Sequence, residues 1–480
     1  MENAYEVIDL LTSNTLRVDQ QDRLFKDFAE LLGWQPSERL NISDDDATNG
    51  HLVVEHGLEN SAVITFIKKP YRFSSLEPEQ QNRFLAISYN NLIDWHIYVD
   101  NQGVSYVYNR NPIQPSEFAL SRSNLKYIKG EMFAQITGDA PNPNFPTLDD
   151  ALAKNISYWK REIASQLNDE PKLPQYAALF NAIIFSRAAE DYARRHNLTS
   201  GKTLLDELHK ETNAHVSLVR VIEHSLRHFI SGTLPEELFE AKKLKIFDKL
   251  KRNDIEHLLS TFYRSDHIPY QYDFAIMSKH ALSRIYEHYV SILSFDEEGQ
   301  LPLLPLFPKE SYSRSHGSVY TPQFIARFFA KYLYEQIPPS IFRKTRVLDP
   351  ACGSGIFLRT VLEMKVSPTY NGVSSDDINS AFENIAGIDS DENASRATKL
   401  SLSLLYLVLM NGKLPQRLNI INASALDVLS GSEEIKERFD VVIANPPFVP
   451  YDYQNSETRK RIAEFMGNLS SGKADTHPAF

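Results

Sequence analysis

Residues 346–364 read RVLDPACGSGIFLRTVLEM. Val347 and Leu348 are an apolar pair that runs into an acid, Asp349. Pro350, Ala351 and Cys352 then lead to Gly353-Ser354-Gly355, and from Ile356 onward apolar residues recur at helical spacing. The stretch predicts a buried strand, a glycine-bearing turn and a helix. Such a unit brings the N–H groups of a helix N-terminus and the carboxyl end of a strand to one crevice, where open α/β sheets bind ligands. Gly353 and Gly355 allow a ligand to approach the backbone closely, and Asp349 is placed to meet a positively charged amino group.

Further along, NIAGIDSDEN (384–393) predicts a second strand, Ile385 to Ile388, with Asp389 at its carboxyl end. An acid at that place commonly accepts hydrogen bonds from ribose hydroxyls. A third strand in RLNIINASALDVL (417–429) ends near Asn422, and a fourth in FDVVIANPPF (439–448) carries Val441, Val442 and Ile443 into Asn445-Pro446-Pro447-Phe448. Upstream, GSVYTPQFIARFFAKYLYEQI (317–337) puts Tyr320, Thr321 and Pro322 in a short loop before an amphipathic helix. Pro322 suits a first helical turn and Thr321 can cap it.

The Asn-Pro-Pro-Phe turn has a specific chemical use. An amino group on a heteroaromatic ring is a poor nucleophile, because its lone pair is delocalised. Two acceptors on its two hydrogens favour a pyramidal nitrogen with an available lone pair. Asn445 offers a side-chain carbonyl and Pro446 a backbone carbonyl. The prolines stiffen the loop, so the arrangement is held in advance. Phe448 can stack on a base swung out of a duplex.

The order YTP, DPACGSG, GID, NPPF resembles the adenine-specific DNA amino-methyltransferases of bacterial restriction–modification systems. The resemblance implies a Rossmann-like fold and S-adenosylmethionine as methyl donor. It implies that Tyr320, Thr321, Pro322, Asp349, Pro350, Ala351, Gly353 and Gly355 hold the methionine end, Asp389 the ribose, and Asn445, Pro446, Pro447 and Phe448 the target adenine. Asparagine at the head of the last motif favours adenine, whereas cytosine amino-methylating relatives more often have serine. One departure stands out. The third strand of the family ends in an acid that contacts the cofactor's adenine; here Ser424 takes that place, with Asp427 three residues later, and either is a candidate.

With 480 residues the chain has length for two or three domains. Two proline-rich stretches, DAPNPNFP (139–146) and LPLLPLFPKE (301–310), divide it. The expected parts are an N-terminal α/β domain over 1–140, a helical spacer over 147–300 and the methyltransferase domain over 310–480. In the N-terminal part, helix DRLFKDFAELLGW (22–34), strands HLVVEH (51–56) and SAVITFIKKP (61–70), helix LEPEQQNRFLAISYNNL (76–92), and strands DWHIYVD (94–100) and GVSYVYNR (103–110) follow in order. Stretches 178–196 and 275–293 read as helices of the spacer.

FNAIIFSRAAEDYA and LSRIYEHYVS are similar to spacer signatures of the single-chain type IIG restriction–modification enzymes. That resemblance implies an N-terminal nuclease of the PD-(D/E)xK fold. Its chemistry looks absent: Phe66 stands where a metal-binding acid should precede Lys68, and the earlier strand offers Glu55. An inactive nuclease fold is the expectation, and no metal site is assigned. The resemblance also implies seven strands in the methyltransferase sheet, of which four are legible, and a recognition domain that is not. The expectation is therefore an incomplete enzyme, truncated or completed by a partner.

The formal net charge of −11 lacks the basic signature of an unassisted DNA binder, although a local cleft can differ. A single cysteine, Cys352, excludes an internal disulfide framework and a multi-cysteine zinc site. The N-terminus has no secretory pattern and no apolar run is long enough to span a bilayer, which points to the cytoplasm. Three functions stay open: a DNA adenine methyltransferase of a restriction–modification or phage-defence system, a methyltransferase of RNA bases or protein glutamine, and a non-catalytic scaffold that binds DNA or a partner.

Overall fold

The computed structural model describes residues 2–40, 48–56, 59–68, 72–111, 117–124, 129–138, 142–195, 203–211, 213, 216–230, 239–277, 321, 323–366, 373–410, 413–429, 438–446, 456 and 459–460. The chain forms two compact units, Met1–Asn155 with Ser260–Leu282, and Ile156–Leu259 with Ser283–Phe480.

The first unit contains α1 (Glu2–Leu11), α2 (Val18–Leu32), β1 (Gln35–Leu40), β2 (Thr48–His56), β3 (Glu59–Ile67), α3 (Pro78–Asn90), β4 (Trp95–Val99), β5 (Gly103–Tyr108), β6 (Glu117–Ser121) and α4 (Gly130–Thr137). The six strands form one sheet in chain order. Only β3 and β4 pair in parallel, with α3 between them in the chain; the other neighbours are antiparallel. Successive strand residues point to opposite faces. Leu52, Val54, Ile64 and Phe66 therefore share one face with Ile97, Val99 and Tyr106, and they form a core with Ile8, Leu11, Phe25, Phe28 and Leu32 of α1 and α2.

The opposite face is polar at its centre. Thr65 Oγ1 lies 2.7 Å from His51 Nδ1 and 2.5 Å from His96 Nε2; His96 Nδ1 approaches Ser88 Oγ at 3.3 Å, and Asn109 Nδ2 donates to that hydroxyl at 2.9 Å. These residues are buried, and burial pushes His96 well below the ordinary histidine range, with His51 adding to the effect. Residues 260–277 return to this unit. Asn90 Nδ2 donates to Gln271 O and its Oδ1 accepts from Asp273 N, Asn91 Nδ2 donates to Ile276 O, and Tyr270 Oη donates to Asn109 O. The side chains at the end of α3 thereby satisfy the backbone of an irregular segment.

Helix α5 (Leu148–Gln166) is divided between the units. The second unit continues with α6 (Leu173–Arg195), α7 (Leu204–Lys210), α8 (Leu218–Phe229), α9 (Ala241–Leu244), α10 (Arg252–Ser260), α11 (Gln323–Gln336), α12 (Pro339–Phe342), β7 (Val347–Asp349), α13 (Ile356–Lys365), α14 (Ser375–Glu383), β8 (Ile385–Asp389), α15 (Glu392–Leu409), β9 (Ile420–Asn422), α16 (Ala425–Leu429) and β10 (Val441–Val442). Its four strands are all parallel, in the order β10-β7-β8-β9. Helices alternate with strands, which is an α/β sheet with crossover connections. Val347, Leu358, Leu362, Ile385, Leu402 and Leu405 form its core.

Within α6, Arg187 is buried; its Nη2 donates to both carboxylate oxygens of Asp191, at 2.8 and 2.9 Å, and its Nη1 pairs with Glu190 at 2.8 Å. Glu190 also accepts from Leu204 N at 3.0 Å, which ties α7 to α6. Buried charges persist where partners compensate their desolvation.

The strands expected at 347–348, 385–388, near 422 and at 441–443 are present. The first unit has more elements than the sequence reading found: α1, β1, β6 and α4 were not anticipated. In the expected helix over 275–293, residues 275–277 form a turn, and 278–293 lie outside the described residues, as does the proline-rich stretch 301–310. No helix among the described residues is long and apolar enough to cross a membrane.

Candidate active site

The site is built where β7, β8 and β10 leave the sheet. Strand β7 delivers Asp349 fully buried, and the chain turns through Pro350 to Gly355 before α13 begins at Ile356. Gly353 (φ 53°) and Gly355 (φ 84°) are both left-handed, the conformation in which only glycine is unstrained. At Gly355 space is equally decisive. A Cβ there would sit 2.7 Å from Thr398 Cγ2, whereas among the described residues nothing lies within 4 Å of one at Gly353. The turn is thus sealed against α15 on one side and open on the other.

Thr398, on α15, fixes the turn by donating from Oγ1 to Gly353 O at 2.7 Å. Asp389 fixes it from β8. One carboxylate oxygen accepts from Gly353 N at 2.8 Å, the other from Asp391 N at 2.9 Å. The acid expected to meet a ribose therefore also holds the glycine turn, and each oxygen retains a lone pair for a hydroxyl. Asn422 Nδ2 and Ala423 N both donate to the carbonyl of Asp389, at 2.9 and 3.0 Å, so the end of β9 braces β8.

Asp349 is different. Oδ1 accepts from Ala351 N at 3.1 Å, while Oδ2 has no hydrogen-bond partner among the described residues. Burial pushes its carboxyl up to about 8; the Ala351 N–H works against this and the neighbouring Asp389 adds to it. Burial likewise raises Asp389, with the Asp391 and Gly353 N–H groups opposing. The Cys352 thiol is pushed well up by burial and by both carboxylates, which makes it an inert core group. A buried carboxylate with an unsatisfied oxygen, beside an open glycine backbone, fits a cationic amino group. On that ground the residues present fit the methionine end of S-adenosylmethionine.

The acceptor side of the site comes from β10. Its register with β7 pairs Val441 with Val347 and Val442 with Leu348, and Ile443 N donates to Leu348 O at 2.9 Å. Asn445 and the DPACGSG turn therefore leave adjacent parallel strands at the same end of the sheet. Asn445 is half-buried, and its Nδ2 donates to Thr321 Oγ1 at 3.0 Å. This contact joins the YTP and NPPF segments, 124 residues apart. Pro446 follows, also half-buried.

Tyr320, Pro322, Pro447 and Phe448 lie outside the described residues. Ser424 is half-buried just before α16 and accepts from Asp427 N through its carbonyl at 3.0 Å, while the Asp427 side chain is exposed. Thr398 and the Thr321–Asn445 bond were not found from sequence. Thr398 is one of several hydroxyl side chains on α15, and a tertiary hydrogen bond leaves no local periodicity.

At the corresponding strand of the first unit, Phe66 is fully buried. Its ring packs 5.1 Å from Phe25 and 4.9 Å edge-on from Phe28. Among the described residues no group of three or more His, Cys, Asp or Glu side chains could hold a metal ion.

Comparison with known proteins places this geometry. Residues 303–476 match the family model described as N-6 DNA Methylase. The chain is 26% identical over 241 residues to the type II methyltransferase M.VspI of Vibrio sp. (strain 343), covering 50% of this chain and 44% of that protein. It is 23% identical over 372 residues to the type II restriction enzyme and methyltransferase RM.Eco57I of Escherichia coli, covering 66% of this chain and 35% of that one. Among solved structures, the type IIL restriction-modification enzyme MmeI in complex with DNA aligns with a TM-score of 0.39 and 15% identity, over 68% of this chain and 47% of that one. The chain spans less than half the length of the curated relatives it matches. The C-terminal part of this chain is similar to the N-6 DNA methylases, the adenine-specific methyltransferases of restriction–modification that its four motifs resemble.

Proposed function

We propose that this chain transfers a methyl group from S-adenosylmethionine to the exocyclic amino group of adenine in DNA, within a restriction–modification or phage-defence system of the cytoplasm. One observation carries the reading. A buried carboxylate with an unpartnered oxygen, Asp349, and an asparagine amide, Asn445, leave adjacent parallel strands at the same end of one sheet. The first suits a cationic donor and the second a neutral amine.

When bound, S-adenosylmethionine supplies a methyl group already activated on a sulfonium. This chain's residues do the positioning. Asp349 pairs with the donor's ammonium beside Gly353 and Gly355, with Tyr320, Pro322, Pro350, Ala351 and the backbone of Thr321 around the methionine end. Asp389 accepts from the ribose hydroxyls, and Ser424 or Asp427 meets the adenine of the donor. The carbonyls of Asn445 and Pro446 accept from the target amine and make its lone pair available, while Pro447 and Phe448 hold the flipped base. No protein base needs to remove a proton before transfer.

We assign the transfer to 310–480, spacing to the helices of 147–300, and contact with DNA or a partner to 1–140. The last part we read as nuclease-like and inactive, and Phe66 in the aromatic core supports that. A magnesium site needs carboxylate oxygens there.

Tritiated S-adenosylmethionine, offered with pooled DNA, RNA and protein substrates, tests the reading. Label is expected in DNA, recovered as N6-methyladenine. Label in RNA or in protein glutamine would move the activity to another class. Binding of the donor with no label in any pool would leave a scaffold.

A further inference from the structure

The resemblance places Thr321 on the donor side of the site. The structure gives its hydroxyl a different partner, the Asn445 amide nitrogen at 3.0 Å. We propose that Thr321 is a positioning residue for Asn445, anchoring its amide nitrogen so that the carbonyl is left for the target amino group.

An asparagine amide is nearly symmetric in shape and opposite in function at its two arms: Nδ2 donates and Oδ1 accepts. Rotation by half a turn about the last side-chain bond would direct two N–H groups at a target amine that has only hydrogens to offer. That orientation repels the substrate. Asn445 follows a two-residue strand and precedes two prolines, so its backbone is defined, but backbone stiffness leaves the amide rotation free. Nδ2 donates to Thr321 Oγ1, so Oδ1 is the arm left for the target; a hydroxyl can also donate, so the bond anchors the side chain in this arrangement and does not by itself exclude the other. Thr321 supplies the acceptor from two residues before α11, and both partners are half-buried, which limits competition from water.

This inference rests on the proposed methyl transfer. Thr321→Val keeps the shape of the side chain and removes the hydroxyl; Thr321→Ser keeps the hydroxyl. The first is expected to lower the single-turnover rate of DNA methylation about tenfold, the scale of one neutral hydrogen bond, with S-adenosylmethionine affinity by calorimetry unchanged. Thr321→Ser is expected to restore most of the rate. On an Asn445→Ala background, Thr321→Val should have no further effect.

A second arm needs no turnover. In protein labelled with 15N at asparagine, the side-chain NH2 pair of Asn445, identified by its loss in Asn445→Ala, should shift in Thr321→Val and stay in place in Thr321→Ser. Weakened donor binding at an unchanged rate would overturn the proposal and return Thr321 to the donor side. An unmoved NH2 pair would overturn it as well. Wild-type protein that labels no DNA would count against the proposed function, and the NH2 signals would still decide the contact.

Discussion

Strand β7 ends at the glycine turn and strand β3 at the place where the nuclease resemblance would put a metal-binding acid, and they are finished in opposite ways. At β7 a buried carboxylate has one oxygen with no partner among the described residues, beside a turn that α15 closes on one side. At β3 the position two before Lys68 holds Phe66, packed between Phe25 and Phe28. The first strand end retains unsatisfied electrostatics, at a cost to the free protein. The second has been absorbed into the hydrophobic core. Polar groups are also buried in the first unit, but there His51, Thr65, His96, Ser88 and Asn109 bond to one another, so that seam is structural. What marks the β7 end as a candidate site is an unmet bond on a buried carboxylate that stands beside a glycine turn at the carboxyl end of a parallel strand; an unmet bond alone does not, since Asn109 Oδ1 in the seam also lacks a partner among the described residues.

Reversing the finish at β3 should produce the largest change in stability. Phe66→Glu puts a carboxylate among Phe25 and Phe28 and removes their ring contacts. A loss of roughly 3–5 kcal/mol is expected for the first unit, read by urea unfolding with Trp34 and Trp95 fluorescence, and no magnesium-dependent DNA cleavage should appear. A variant with an unchanged midpoint, or one that cuts DNA, would place Phe66 at a catalytic position after all.

Asp349→Asn tests the opposite finish at β7. At neutral pH the cofactor-free protein should gain about 1–3 kcal/mol, because folding no longer has to protonate a buried acid that is ionised in the unfolded chain, while S-adenosylmethionine binding weakens at least about tenfold. The sign of the pH dependence follows from the raised pKa. The native state binds the extra proton, so this contribution to stability is fullest below the ordinary carboxylate range and is lost as pH rises to about 8. Donor affinity should run the other way, rising with pH toward about 8 as Asp349 ionises. Melting curves across pH 5–9 check the first trend and calorimetry the second, and a flat wild-type profile in both would remove Asp349 from the donor site.

The smallest expected effect concerns the seam. His96 is held neutral by burial and by His51, so the first unit is most stable above the ordinary histidine range and loses stability as pH falls below it. The slope is about 1.4 kcal/mol per pH unit for one such group. Unfolding of the first unit at pH 7 and pH 5, followed by Trp95 fluorescence, should differ accordingly, and equal midpoints would show that His96 is charged in the fold.

Much of the second unit was legible because each parallel strand is a short apolar run that ends in chemistry-bearing residues: Asp349, Asp389, Asn422, Asn445. The less legible parts have physical reasons. Strands β1 and β6 are the edges of their sheet; β1 reads QPSERL, with a proline and a register shift at Pro36, and β6 is largely exposed, so neither shows apolar alternation. The return of 260–277 to the first unit depends on Asn90 and Asn91 amides meeting distant backbone, which no local pattern encodes. At the site, motifs named the loops but not the bonds between them. The glycine turn is held by Thr398 and by the same Asp389 that was assigned to a ribose.

The division of labour between Asp349, for the donor, and Asn445, for the target amine, is tested most directly by Asn445→Ala. Donor binding should stay within about twofold of wild type, while single-turnover methyl transfer to DNA falls about a hundredfold or more, the scale seen when a preorganised polar contact to the reacting centre is removed. Near-normal transfer by Asn445→Ala, or a loss of donor binding that matches the loss of rate, would contradict the account.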